Sequence, residues 1–530
     1  MAANVHTTIR DTASAQQVER VRGMLDHMVA DTCQLTAIAS RLIEHFRRYG
    51  YRQVEPPIVE FAELFLRKSG AEVNARLYSF TDQGGRRVAL RPELTASALR
   101  AFLQQADLPP LPARLSYAGP VFRYEKPQRG RYRQFTQVGV ELIGAEPPLA
   151  DAELLTMTVE APTLFGLTNT RLVVGHLGVV LAFLAALEVD GRTQAVLLQS
   201  LESLKKAGER GATPRQLLHR QSETAGAALP ELMRPPAGPA SDPRVLAILA
   251  GMSRADAIVL VRSLLGSINT DVGGGRDPEE IVDRLLERLS EGDQSAKADR
   301  AIEFILELSR LAGPRDVALS RAADLIGRYG LSQQPLQELT AVCELLDATG
   351  FDWSNVTIDL SLGRGLQYYT GLVFELYGVG LGTEDQICGG GRYDGLARSL
   401  GSKRDLPAIG CSFGLERLKL LCETQTSGAL AKAPDALVVP TGDAVSYAFE
   451  VAAALRCHGL CVELEVRKRG LRASLDFASR QGTRWVLIAG ERERGTRTVV
   501  ARLQATGREV TLPLASIKQR GLADIEETAP

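Results

Sequence analysis

Residues 117–144 read YAGPVFRYEKPQRGRYRQFTQVGVELIG. YAGPVFRYE and FTQVGVELIG have the alternating character of half-buried strands, so the sequence predicts an antiparallel pair. Between them KPQRGRYR gathers Lys126, Arg129, Arg131 and Arg133 around Gly130, which suits a turn. The strand reading puts Arg123 and Glu125 on one face, two residues apart. A guanidinium there can grip phosphate oxygens through two N–H groups, and a carboxylate can take an amino group. An exposed cross-strand salt bridge would use the same two residues. The loop suits a polyanion, with Tyr132 able to stack, although a solvated basic hairpin tip has the same composition.

Working outward, the rest of the chain is ordinary in bulk. It has 530 residues, with 45% hydrophobic and 24% charged side chains and a net charge of −1. That length suggests roughly three domains, and a chain without net positive charge must bind nucleic acid or phosphate through local patches. The seven cysteines are dispersed and no CxxC pair occurs. His458 beside Cys457 and Cys461 is the nearest approach to a metal motif, and it lacks zinc-finger spacing. Dispersed thiols fit a reducing cytosol. The N-terminal MAANVHTTIRDTASAQQVER lacks the apolar core of a signal peptide, and its Asp11 and Glu19 argue against a transit peptide. No run of 18 apolar residues occurs, so no membrane span is expected.

Before the opening stretch, residues 34–49 place Leu35, Ile38, Leu42, Ile43 and Phe46 at helical spacing. YRQVEPPIVE follows as a short strand that Pro56 and Pro57 make bent or peripheral. LYSFTDQGGRRVALRPE reads as a hairpin about Gly84–Gly85, 94–105 as a helix, and 150–165 as another. From 180 to 350 helical periodicity dominates, broken by Pro and Gly, including a GGGR at 273–276 that reads as linker. Strand character returns at 355–362, 367–378 and 384–389, and AIGCSFGLERLKLLC reads as a strand running into a helix. After a polar linker at 423–434, strands and helices alternate over about 90 residues, the signature of a small α/β domain.

Other stretches carry chemistry more weakly. RPELTASALR sets Glu93 and Thr95 where a strand meets a helix, positions that suit an N-terminal acid and cap as well as a ligand. In SLGRGLQYYTGLVFE, Gly363 and Gly365 flank Arg364 and allow close backbone approach, with Tyr368 and Tyr369 beyond. CGGGRYDG is rich in glycine but lacks the spacing of a dinucleotide or phosphate loop. Arg417 in GLERL and His176 in VVGHLGVV read in isolation as a surface cation and a packed core histidine.

Taken in order, these stretches resemble the class II aminoacyl-tRNA synthetases, and within them the histidyl-tRNA synthetase family. The resemblance covers residues 20–170 and 355–515. PPIVEFAELF is similar to the first class II motif, GPVFRYEKPQRGRYRQFTQVGVELIG to the second, and AIGCSFGLERL to the third. RGLQYYTGLVFE and GGGRYDGL resemble the two histidine-specific stretches.

The resemblance implies an α+β fold. A class II antiparallel-sheet catalytic domain would occupy 20–175 and 353–424. A mostly helical insertion would occupy 176–352, and an anticodon-binding-type α/β domain 434–520. It implies ATP-dependent activation of histidine and transfer to tRNA(His), with Mg2+ accompanying ATP, in a cytoplasmic homodimer with no membrane association. Arg123 would contact the α-phosphate, Glu125 the adenine amino group and Arg417 the γ-phosphate. Glu93, Thr95 and Gln137 would hold the α-ammonium, and Glu141, Tyr369 and Tyr393, with Tyr368, would receive the histidine. Arg364 would lie against the carboxylate and α-phosphate as the principal catalytic residue alongside Arg123. Lys126, Gln128, Arg129 and Arg131 would approach the tRNA acceptor end.

The sequence departs from the family pattern at Gln367, usually Asp, and at Leu372, usually small and polar. VVGHLGVV is closer to a paralogue, the regulatory subunit of ATP phosphoribosyltransferase, which binds histidine without charging tRNA. That paralogue normally lacks the C-terminal domain. A tRNA-sensing module without catalysis is a third reading, and it would be expected to lose the ATP contacts retained here.

Overall fold

The computed structural model describes residues 18–66, 76–105, 109–208, 296–363, 368–380, 386–425 and 433–523. The chain forms two compact units, Met1–Gly428 and Ala429–Pro530.

The first unit opens with the helix Val29–Arg48, whose Leu35, Ile38, Leu42 and Phe46 form one buried stripe. It starts earlier than its apolar periodicity suggests, because its first turn is largely solvent-facing and carries no side-chain cap. YRQVEPPIVE is not one bent strand. It splits into β1 (Arg52–Gln53) and β2 (Val59–Phe61), which join different sheets. Pro56 and Pro57 have no N–H for a ladder. Buried Arg91 fastens the corner: its Nη1 donates to the carbonyls of Pro56 (2.5 Å) and Pro57 (3.3 Å), and its Nε to that of Pro120 (2.9 Å). β2 joins the hairpin β3 (Ser79–Thr81) and β4 (Arg87–Leu90) in a small antiparallel sheet ordered β2-β4-β3.

The opening stretch forms β5 (Ala113–Phe122) and β6 (Gln134–Ile143), paired antiparallel. β5 stops at Phe122, so Arg123 and Glu125 do not share a strand face as their spacing suggested. The Arg123 N–H still reaches across to the Arg133 carbonyl at 2.8 Å, but the Glu125 N–H turns back onto the Arg123 carbonyl at 2.8 Å, a three-residue turn that ends the extended run between them.

The main sheet is completed by β7 (Thr170–His176), β8 (Val356–Ile358), β9 (Leu372–Gly378), β10 (Gln386–Arg392) and β11 (Ala408–Gly414). Its eight strands run β1-β5-β6-β11-β10-β9-β7-β8, and every pair is antiparallel except the outermost, β1–β5 and β7–β8. Between β7 and β8 the described residues form helices Leu177–Ala186, Gly191–Gly208, 296–309, Arg315–Arg328 and Gln334–Asp347. Phe183 stacks on Phe304 with centroids 4.0 Å apart, and Tyr329 meets both edge-on. These residues belong to the same continuous core as the main sheet. Leu372 is fully buried in that core, so a polar residue there would need a buried partner.

The second unit is a five-stranded sheet. Its strands are β12 (Ala436–Pro440), β13 (Val462–Leu464), β14 (Trp485–Ala489), β15 (Thr498–Leu503) and β16 (Glu509–Pro513), in the order β13-β12-β14-β15-β16. The strands β13, β12 and β14 are parallel, and β12 and β14 are buried on both faces, which accounts for the unbroken apolar run ALVV in β12. Ala436 and Val438 pack in one layer with Tyr447, Val451 and Ile517. Leu437 and Val439 pack in another with Ala478. A unit with two apolar layers of its own should fold alone. Residues 429–530 expressed by themselves are expected to give one cooperative thermal transition by circular dichroism. A featureless melt would show that its core depends on the first unit.

Candidate functional site

Strand register explains why one face of the main sheet is open. Tyr117 lies opposite Gly139, and Gly119 opposite Gln137. On the other side of β6, Glu141 faces Gly410, Gly139 faces Ser412, and Gln137 faces Gly414. Gly389 and Gly391 of β10 continue these rows. Directly opposed residues project to the same side. One face therefore carries glycines and a serine across four strands, among which Tyr117, Gln137 and Glu141 rise on β5 and β6, with Leu115 opposite Glu141 and Val121 opposite Phe135 toward the two ends. Gly410 cannot be replaced cheaply: a Cβ there would run into Glu141 Oε2 and approach the Val140 carbonyl to 2.6 Å.

Glu141 is fully buried, and both its oxygens are engaged. The Tyr117 hydroxyl donates to Oε1 at 2.7 Å, and the Tyr393 hydroxyl donates to Oε2. Thr95 Oγ1 lies 3.5 Å from the Tyr117 hydroxyl. Beside them, buried Glu93 accepts the Tyr368 hydroxyl at 2.7 Å. The Tyr368 ring sits 4.9 Å from Tyr369 and 5.8 Å from Tyr393, centroid to centroid. Burial raises the Tyr117, Tyr368 and Tyr393 hydroxyls well above their ordinary range, so they remain donors. Burial also pushes Glu141 up to about 7. The hydrogen bonds from Tyr393, Thr95 and Tyr117 oppose that rise, and the Glu93 charge adds to it.

Gln137 is the junction with a second region. Its Oε1 accepts the Leu94 N–H at 3.1 Å and its Nε2 donates to Ser412 Oγ at 3.3 Å. Both Gln137 and Ser412 also line an adjoining cleft of about 240 Å³ with Arg123, Glu125, Phe135 and Arg417. Arg123 Nε donates to the Pro92 carbonyl at 2.9 Å, and its guanidinium lies 5.3 Å from the Phe135 ring centroid. Arg417 donates from Nε to the Gly130 carbonyl and from Nη1 to that of Gln386, each at 2.9 Å. Glu125 meets Arg131, and Arg76 at 3.3 Å. Burial pushes the Glu125 carboxyl up, but the bond from Arg131 and the charges of Arg131, Arg123 and Arg76 hold it below its ordinary value. Glu416 accepts the Thr136 N–H at 2.9 and 3.0 Å through its two oxygens, and burial raises it.

Most residues singled out from the sequence thus fall in two adjoining places. Glu93, Thr95, Gln137, Glu141, Tyr368 and Tyr393 lie in the polar pocket, with Tyr369 buried beside Tyr368. Arg123, Glu125 and Arg417 line the cleft. Lys126, Gln128 and Arg129 lie on the β5–β6 loop, whose tip is closed by backbone bonds between Gln128 and Arg131. Gln128 and Arg129 are exposed, whereas the Arg131 side chain turns onto Glu125. Arg364 and Gln367 lie outside the described residues. Among the described residues no cluster of three or more His, Cys, Asp or Glu could hold a metal, and no helix is long and apolar enough to cross a membrane.

Tyr117, Ser412 and Arg392 escaped the sequence reading. Tyr117 had a usable signal: it stands two residues before Gly119, in step with the rows of Gln137 and Glu141. Arg392 had none. It is buried against Asp151, with Nη2–Oδ1 at 2.6 Å, and also donates to the Ala145 carbonyl and Asp394.

A family model described as histidyl-tRNA synthetase matches residues 23–272 and 260–418, and one described as anticodon binding domain matches 435–520. The chain is 34% identical to a histidine–tRNA ligase of Methanosphaerula palustris, over 94% of this chain and 98% of that protein. It is 30% identical to that of Pyrococcus horikoshii, over 94% and 97%. Its fold is similar to the crystal structure of apo histidyl-tRNA synthetase from S. aureus, with a TM-score of 0.60 and 25% identity, covering 95% of this chain and 99% of that one.

The buried carboxyl gives a pH prediction. Glu141 rises from its ordinary 4.5 to about 7 on folding, so the folded state holds the proton more tightly. Its stability penalty is absent below pH 4.5, grows across the window to about 7, and is complete above it. Glu141→Gln should remove that slope, so its thermal midpoint should gain on the wild type as pH rises through the window. Parallel melting curves would rule out the assignment.

Proposed function

This chain belongs to the histidyl-tRNA synthetase family, and from that premise we propose that it joins histidine to tRNA(His) in two steps, with the following division of labour. The histidine carboxylate oxygen attacks the α-phosphorus of MgATP, the bond to the β-phosphate bridging oxygen breaks, and pyrophosphate leaves. A terminal ribose hydroxyl of the tRNA then attacks the acyl carbon of the adenylate, the bond from that carbon to the phosphate oxygen breaks, AMP departs, and the hydroxyl proton is released to solvent. The observation that carries this reading is adjacency: the buried polar cluster built on Glu141 adjoins, through Gln137 and Ser412, a cleft holding Arg123, Glu125 and Arg417.

In this reading the imidazole is read by Glu141, Tyr369 and Tyr393, and the α-ammonium by Glu93, Thr95 and Gln137, with Tyr368 holding Glu93. Arg123 neutralises charge at the α-phosphate, Arg417 clamps the γ-phosphate, and Arg364 meets the charge that develops as the carboxylate attacks. Glu125 takes the adenine amino group, for which it exchanges partners with Arg131 or Arg76. Mg2+ enters as part of the nucleotide substrate, where it screens the polyphosphate charge. No protein nucleophile is needed, so positioning and charge neutralisation carry the rate. The loop bearing Lys126, Gln128, Arg129 and Arg131 meets the tRNA acceptor end, and the unit around 435–520 meets the anticodon region. That domain and the cleft arginines favour the ligase over the regulatory subunit weighed from sequence. The reading sets the reaction in the cytoplasm.

A homodimer follows from the same reading. On the small sheet Phe61 and Phe80 flank Val88 in register and are 56% and 49% exposed, with Val59 46% exposed nearby. A second copy covering this face through a two-fold axis would remove it from water. Sedimentation at micromolar concentration should give twice the 57.3-kDa chain mass, and Phe61→Asp should shift it toward monomer. A wild-type monomer would end the dimer proposal.

The chemistry is tested by ATP–pyrophosphate exchange, which should require histidine, followed by charging of tRNA(His). Arg364→Ala should lower kcat of exchange by about 10²–10³, the usual loss for one preorganised donor, with a smaller change in KM for ATP. Arg364→Lys should recover little, lacking the planar fork. An unchanged kcat would remove Arg364 from the mechanism. No histidine-dependent exchange in the wild type would overturn the whole reading.

A further inference from the structure

A segment that carries no motif reaches the loop between β5 and β6 from outside. The carbonyl of Gly23 accepts the Arg133 backbone N–H at 2.8 Å, and that of Arg22 accepts Arg133 Nη1 at 3.2 Å. Arg133 also faces the other arm of the loop. Its Nε donates to the Glu125 carbonyl at 3.0 Å, its own carbonyl accepts the Arg123 N–H at 2.8 Å, and its guanidinium lies 3.9 Å from the Tyr124 ring centroid. One residue thereby joins the irregular N-terminal segment, the arm bearing Arg123 and Glu125, and the arm that becomes β6. The packing is close. Gly23 has φ +87°, and a Cβ there would stand 2.8 Å from both Arg133 Cδ and Pro127 Cγ. Further along the same segment, His27 Nε2 is 4.0 Å from Glu416, the residue that holds the Thr136 N–H at the start of β6.

We infer that residues 20–28 and Arg133 form a clamp that positions Arg123 and Glu125 for ATP. The inference rests on the synthetase reading and extends it to a segment outside the motifs. Arg133 is one of the loop cations that the sequence directs at a polyanion, but its hydrogen bonds run inward, to backbone carbonyls. A guanidinium is suited to this, because it donates in fixed directions to two segments while lying flat on an aromatic ring. A lysine ammonium has three donors but no planar fork, so it cannot lie flat on the ring while reaching both segments in these directions. Arg133 is therefore a positioning residue, acting through Arg123 and Glu125.

The clamp is tested in the full-length enzyme by Arg133→Ala, Arg133→Lys, Gly23→Ala and the Gly23→Ala/Arg133→Ala double variant. Histidine-dependent ATP–pyrophosphate exchange should show KM for ATP raised roughly tenfold in Arg133→Ala, the worth of about one charge-assisted hydrogen bond. KM for histidine should change little. Arg133→Lys should rescue only partly. Gly23→Ala, altered on the strap alone, should raise KM in the same sense. The double variant should be no worse than Arg133→Ala, because both break one unit. A second readout needs no activity: trypsin should nick at exposed Arg129 faster in Gly23→Ala than in the wild type, without ligand. Wild-type KM for ATP and an unchanged nicking rate in these variants would overturn the clamp. So would additive effects in the double variant, or a fall in thermal midpoint with kcat alone reduced. A wild-type enzyme without exchange would instead fail the synthetase reading, and the trypsin comparison would still decide whether the strap holds the loop.

Discussion

One face of the main sheet is largely stripped of side chains across four strands, and much of the structure follows from how that is done. Glycine stands at 119, 139, 389, 391, 410 and 414 in register across β5, β6, β11 and β10. Glycines weaken strands, since they pack nothing and cost entropy to order. The sheet tolerates them because its opposite face and flanks are tied into one large core that includes the helices Val29–Arg48 and Leu149–Glu160. Emptying the face also brings the backbone close enough to leave Glu141 at the floor, out of water, where each carboxylate oxygen must find a donor. Tyr117 supplies one from β5, and Tyr393, just past the end of β10, supplies the other.

The two halves of the site treat charge differently. In the pocket, carboxylates are surrounded by neutral hydroxyls, and burial drives Glu141 toward neutrality. In the cleft, Arg123 and Arg417 are aimed by backbone carbonyls of Pro92, Gly130 and Gln386. A carbonyl fixes a guanidinium's direction through a neutral acceptor. Glu125 is the exception, held by Arg131 and Arg76. Those partners favour the ionised carboxylate, and in the proposed function they are what it would exchange for a base amino group.

The elements were largely legible in the sequence because period and punctuation agreed. Alternation around a Gly-centred cationic loop gives β5 and β6, and the apolar run ALVV gives the doubly covered β12. Two boundaries were not legible. The start of the first helix faces water, so no apolar residue marks it. The end of β5 at Phe122 depends on the turn between Arg123 and Glu125, which alternation cannot register. Pro56–Pro57 was visible as a break, but the allocation of its two halves to different sheets depends on Arg91 reaching three distant carbonyls. Arg392 and Arg133 show the same limit. An arginine buried against carbonyls or a distant aspartate has the same sequence signature as one in solvent, and only its partners separate them.

Under the proposed function, those partners also set how selective the pocket would be. Replacing a buried ion pair by apolar residues is often neutral or stabilising, so Arg392 and Asp151 are better understood through what they fix in place. Arg392 bridges Asp151, the Ala145 carbonyl and Asp394, while Asp394 in turn accepts the Ala408 N–H. The ends of β10 and β11 and the helix Leu149–Glu160 are thereby locked around the residue between Arg392 and Asp394, which is Tyr393. Its hydroxyl has to meet Glu141 Oε2, and a small displacement would leave a buried carboxylate oxygen without its donor, at a cost of about 1–3 kcal/mol or more. A side chain that cannot hydrogen-bond would impose the same loss on entering the pocket. Rejection of apolar isosteres and the rigidity of the Arg392 frame are thus one effect, since a pocket that relaxed around a poor ligand could satisfy its own polar groups and would lose its discrimination.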